Sequence, residues 1–173
     1  MIVEDGTGIA DADSYVTLND AIEYCTDRGL TFAASPSALG EAALIRASTA
    51  IDARYSSSYP GDRTNGRGQG LQWPRTGAYD SDGWLIPEDE IPIEVFNATV
   101  EAAVREFASP NSMMPDLERG GEIQSIRAGS VGITYSSNAS AKTEFTLIDG
   151  IMANVLSGMG GSGGGLFGTV VRG

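Results

Sequence analysis

Both tryptophans of this chain, Trp73 and Trp84, fall in one stretch from Gly70 to Pro87, GLQWPRTGAYDSDGWLIP, which holds too much glycine, proline and aspartate to be helical. The segment before it, SSSYPGDRTNGRGQG (56–70), carries four glycines and also reads as loop. Helices flanking this region must therefore leave a gap that a loop can fill with indole. Trp73, wedged before Pro74, is expected to cover the core there. Trp84 and Tyr79 lie beside a turn expected at Asp80 to Gly83, and we read them as subunit-interface residues because aromatic side chains are enriched at interface anchors.

Helical periodicity surrounds the loop on both sides. Thr17 precedes Asp20 in the manner of a capping box, and a helix from Leu18 to Arg28 should follow, stopped by Gly29. Its apolar side is Leu18, Ala21, Ile22 and Cys25, which makes Cys25 a core residue. Ser35 as cap with Pro36 in the first helical position should open a second helix reaching Tyr55, with Leu44, Ala47, Ser48, Ile51 and Tyr55 as its buried stripe. Ile91-Pro92 should open a third, ending near Ser109-Pro110, with Phe96, Val100, Ala103 and Phe107 on one face.

Beyond it the period changes. Ile126, Val131, Ile133 and Tyr135 alternate across Ala128-Gly129 and predict a hairpin. A last helix is expected from Phe145 to Leu156 with Ile148, Ile151, Met152, Val155 and Leu156 on one side, before a tail in which glycine dominates. The fold class expected is mainly α: a small bundle of about four helices with a β-hairpin, a long central loop and a Gly-rich extended C-terminal arm. Residues 1–157 should form one domain, since a chain of 173 residues with 41% hydrophobic content can close a single core. Residues 158–173 should be a flexible arm.

Two literal enzyme signatures in the tail are refused. Gly160 to Gly164 fits G-x-S-x-G, but the elbow needs a strand, a helix and a histidine, and the chain has no histidine. Gly163 to Gly168 fits G-x-G-x-x-G with only five residues left for the helix that would hold a pyrophosphate. Asp80-Ser-Asp-Gly83 resembles the front of a calcium loop, yet the twelfth position is Ile91 where a bidentate Glu is required. The lack of histidine also removes the usual general base and the commonest metal ligand. No catalytic, cofactor or metal residue is therefore assigned, and no enzyme activity is expected.

Charge narrows the partners. The chain carries a net charge of −12 and only eleven basic residues, ten of them arginine. A phosphate-binding protein clusters Lys and Arg, and Arg63, Arg67 and Arg75 are the one group approaching such a cluster. We read them instead as subunit-interface residues that pair with acidic neighbours. No apolar run is long enough to span a membrane, and no leader is evident at Met1-Ile-Val-Glu-Asp-Gly, so a soluble protein made and kept in a cytoplasm is expected.

The order of the segments MIVEDGTGIADADSYVTLNDAIEY (1–24), EAALIRASTAID (41–52), LQWPRTGAYDSDGWLIPEDEIPIEVFNATVEAA (71–103) and PDLERGGEIQSIRAGSVGITY (115–135) resembles the tailed-phage head-tail adaptor (head completion, connector) family. Its members often carry the label DnaT-like single-strand DNA-binding protein. The W-P-R-T-G and I-P-x-x-[IV] elements carry most of the resemblance. It implies a homo-oligomeric ring, a dodecamer, in the virion neck beneath the portal protein, extending the DNA channel and offering a platform to a stopper or tail-completion protein. Double-stranded DNA would pass through the lumen without specific binding, which an acidic bore favours. By the same resemblance Leu166, Phe167, Val170 and Val171 match the arm that holds the portal. The alternative function is a single-stranded DNA-binding replication accessory protein.

Overall fold

The architecture follows from two long helices that pack against each other through small side chains. In the computed structural model, which describes residues 1–32, 35–114, 123–127, 132–135 and 144–156, these are α2 (Ser37–Tyr55) and α3 (Ile93–Ala108). Ala43, Ala47 and Ala50 of α2 and Ala98, Ala102 and Ala103 of α3 are buried, and small residues let helix axes approach at the short end of the usual range. Two shorter helices, α1 (Leu18–Asp27) and α4 (Thr146–Met152), complete the bundle. α1 packs on both long helices, and α4 packs on α3. A short antiparallel ribbon joins β1 (Asp62–Arg63) to β2 (Arg75–Thr76), and an antiparallel hairpin joins β3 (Ile123–Arg127) to β4 (Gly132–Tyr135). Among the described residues the fold is thus mainly helical, with four α-helices and a small hairpin at the place the alternation predicts.

Local chemistry explains the boundaries. Thr17 Oγ1 accepts the Asp20 N–H at 3.1 Å, capping α1, but the return bond of a capping box is absent; the Thr17 hydroxyl donates to Asp20 Oδ2 at 2.7 Å instead. α1 stops at Gly29, whose φ of +65° is open to glycine and costly for other residues. α2 begins one residue later than expected, with Pro36 as N-cap and not as the first helical residue. α4 ends at Met152 and tightens into a 3-10 turn over Ala153–Val155, where one continuous helix was expected.

The buried stripe of α2 is the expected one, widened by Gly40, Ala43 and Ala50. α3 differs. Val95, Ala98, Thr99, Val100, Ala102, Ala103 and Glu106 are buried, while Phe96 and Phe107 sit at the edge, half-buried, Phe107 against Phe32 with ring centroids 5.3 Å apart. Bulk misled the sequence reading here, because the close α2–α3 approach selects small residues for the face centre. Glu106 is buried because it is fully engaged. Its carboxylate accepts from Arg46 Nε at 2.8 Å, Asn111 N at 2.7 Å and Met113 N at 2.8 Å, which closes the turn after α3. Burial alone would raise its pKa, and these hydrogen bonds overcome that and hold it below the usual value.

The first sixteen residues wrap the bundle as an ordered loop. Glu4 is buried and its carboxylate accepts three backbone N–H groups, from Gly6 at 3.0 Å, Gly8 at 2.8 Å and Ile9 at 2.8 Å. Gly70 lies against this loop so closely that a Cβ would stand 2.6 Å from the Ala12 carbonyl oxygen. Cys25 is buried in the core as expected.

Trp73 is fully buried and Trp84 is 74% exposed. The Trp73 ring packs edge-on against Tyr59 at 5.6 Å, and its indole N–H has no hydrogen-bond partner among the described residues, so the ring itself contributes through packing. Trp73→Ala should therefore cost about 3–5 kcal/mol in urea denaturation, and Trp84→Ala should stay within about 0.5 kcal/mol of wild type. Equal costs would refute this division.

Candidate functional site

The central segment, 59–88, is where exposed aromatic and unpaired basic side chains collect, and a buried clamp holds it. Asp52 on α2 accepts the Tyr15 hydroxyl at 2.7 Å and the Gln72 N–H at 3.0 Å. The Tyr15 oxygen in turn accepts the Gln72 and Trp73 N–H groups at 3.0 and 3.1 Å. One carboxylate and one phenol thus fasten the backbone that carries Trp73 onto the bundle. Gln69, also buried, staples the loop internally: its amide donates to the Leu71 and Pro74 carbonyls at 2.9 and 3.1 Å and accepts from Asn65 N at 2.9 Å.

Arg75 was expected in a basic cluster at a subunit interface. It is 7% exposed, and its guanidinium donates to the carbonyls of Pro60, Gly61 and Gln72. Burial lowers its pKa, and its role is to close the ribbon from inside. Its neighbours in the expected cluster differ. Arg63 is half-buried in β1 and Arg67 is exposed in the 3-10 turn Gly66–Gly68. Four arginines elsewhere are engaged: Arg46 with Glu106, Arg54 with Asp149, Arg28 over the Tyr24 ring and Arg105 over the Phe145 ring. Arg63 and Arg67 form no ion pair and no ring contact among the described residues.

At the far end of the segment the expected turn is present. Tyr79 bridges Leu85, Asp80 N donates to the Trp84 carbonyl at 2.9 Å, and Asp80 Oδ1 accepts the Asp82 and Trp84 N–H groups. This is an Asx-stabilised hairpin and not a cation loop. Among the described residues no group of three or more carboxylate, thiol or imidazole side chains is placed to hold a metal ion. Tyr79 is 55% exposed. Trp84, Leu85 and Ile93 border a groove of about 280 Å³ whose remaining walls include Asp80, Glu90 and Glu94. Leu166, Phe167, Val170 and Val171 lie outside the described residues, as does the arm 158–173. None of the described helices is long and apolar enough to cross a membrane.

The sequence reading missed Tyr15, Asp52 and Gln69. Asp52 follows Ile51 directly and looks like the solvent side of α2; no spacing signals that a loop twenty residues on will cover it.

The clamped loop thus presents the exposed Arg67 and the exposed Tyr79 phenol, with Arg63 half-buried. A family model described as "Putative DnaT-like ssDNA binding protein" matches residues 1–173, and the chain belongs to that family. No curated protein and no solved structure matches the chain. The match corrects the resemblance drawn from sequence. The shared segments are those of a DnaT-like family, no head-tail adaptor family is found, and the portal-binding, connector and virion-neck readings drawn from that resemblance fall with it.

Burial pushes the pKa of Asp52 up to about 6, against the opposing hydrogen bonds from Tyr15 and Gln72. The ordinary aspartate value is near 4, so the folded-state pKa lies above the unfolded one. The group's contribution is then complete below about pH 4 and is lost as pH rises through about 6. Wild type should lose on the order of 2–3 kcal/mol relative to Asp52→Asn between pH 4 and pH 7. Urea titrations of both proteins across that window check it, and a difference that does not vary with pH would refute it.

Proposed function

We propose that this chain binds single-stranded DNA as a DnaT-like replication accessory protein, the strand crossing the 62–67 loop. The observation that carries this reading is the family match over the entire chain. Arg63 and Arg67 support it as the described guanidinium groups left open for phosphate, and the exposed ring of Tyr79 on the same segment offers a stacking surface.

The acidic body sets the character of the binding. A net charge of −12 repels the backbone everywhere except at such a local basic edge, so the footprint is short. Two neutralised phosphates on a single strand give a slope of log K against log salt near about −1.4. Arg75 does not add to it, being consumed by backbone carbonyls.

Fluorescence anisotropy with a labelled oligothymidylate at about 50 mM salt tests this. Wild type should bind with that shallow slope, Arg63→Ala with Arg67→Ala should weaken binding by about tenfold or more and flatten the slope, and Tyr79→Ala should cost about 1–3 kcal/mol. Absence of binding at low salt, or unchanged binding by the double variant, would reject the reading.

A further inference from the structure

The groove beside the hairpin has the wrong charge for a nucleic acid and the wrong surface for solvent. Trp84, Leu85 and Ile93 are 74%, 60% and 61% exposed, and large apolar groups left in water together mark a contact surface. Between Asp80 and Glu94 the sequence carries six carboxylates and no basic residue. Asp80, Glu90 and Glu94 line the groove itself. Phosphates would be repelled here, which separates this face from the Arg63 and Arg67 edge.

The walls are fixed in advance. Ser81 donates its N–H to the Asn154 carbonyl at 2.8 Å and its hydroxyl to Asn154 Oδ1 at 2.6 Å, tying the hairpin tip to the turn after α4. The Asn154 amide donates to Glu94 Oε1 at 2.7 Å, tying both to the first turn of α3. A surface already ordered loses little entropy on binding, so apolar burial and charge contribute more of their full value.

We infer that this groove docks a segment of a partner protein in which Lys or Arg alternates with large apolar side chains, the apolar groups covering Trp84, Leu85 and Ile93 and the cations meeting Asp80 and Glu90. Charge complementarity decides among the occupants. A second copy of this chain, at −12, would bring like charge to the acidic rim. The inference stands apart from the DNA-binding reading, because it uses other residues and the opposite ligand charge.

The probe is a fluorescein-labelled peptide of alternating Arg and Leu, with Arg–Ser and Glu–Leu peptides of equal length as controls, read by anisotropy against the full-length protein. The Arg–Leu peptide should bind about tenfold tighter than either control, and Trp84→Ala and Glu90→Lys should each weaken it at least about fivefold. Both positions are exposed, and thermal melts matching wild type would confirm that the variants fold. Equal binding of the Arg–Ser peptide, or unchanged affinity in Trp84→Ala, would overturn the proposal. So would tighter peptide binding by a Leu166→Ser, Phe167→Ser variant, which would assign the groove to the chain's own tail. Displacement of the peptide by oligothymidylate would assign it to DNA, and a concentration-dependent dimer in sedimentation that Trp84→Ala abolishes would assign it to a second copy; each would overturn the proposal.

Discussion

The hydrogen-bonded pair of Asp52 and Tyr15 is the interaction on which the rest of this molecule depends. It joins three parts of the chain far apart in sequence: the N-terminal loop, the last turn of α2, and the backbone at Gln72 and Trp73. Without it the indole of Trp73 would have to find its place by packing alone, since its own N–H makes no described bond. With it the loop backbone is held to the bundle by three directed contacts, and β2, the Tyr79–Leu85 hairpin and the groove inherit their positions. Burial makes this carboxylate costly to ionise, and the two hydrogen bonds it accepts offset part of that cost.

Arginine chemistry divides the surface into two regions of opposite use. Arg46, Arg54 and Arg75 are consumed by the fold, each by a partner that matches a planar donor fork: a carboxylate for the first two, converging backbone carbonyls for the third. The stretch from 76 to 104 contains no basic residue at all. The protein is therefore not uniformly acidic in effect. Its carboxylates gather in residues 1–27 and again in 76–104, each with seven and no basic residue, and the 62–67 loop with Arg63 and Arg67 is left as the basic edge.

Much of the architecture was legible because helices write their faces locally. The stripe Leu44, Ala47, Ser48, Ile51 and Tyr55 is buried as spacing predicts, and the hairpin at 123–135 follows its alternation. The failures share one cause: a residue's environment was decided by a distant segment. Phe96 and Phe107 look like the centre of the α3 face, but a neighbouring helix at close range needs alanine there. Arg75 looks like an open cation, but Pro60, Gly61 and Gln72 turn their carbonyls onto it. Trp73 and Trp84 are one composition entry in the sequence and opposite extremes of exposure in the fold. Of the site, the turn at Asp80 was within reach of local reading. The clamp was not, because Tyr15, Asp52 and Gln72 carry no shared spacing.

The N-terminal loop has a bearing on where an anion can go. Successive backbone N–H groups converging on one point are the usual peptide cradle for phosphate, and residues 6, 8 and 9 form such a point. Glu4 already fills it, from the same loop and out of solvent. The cradle's N–H groups are thus taken up by the chain's own side chain, and that corner is closed to an outside anion.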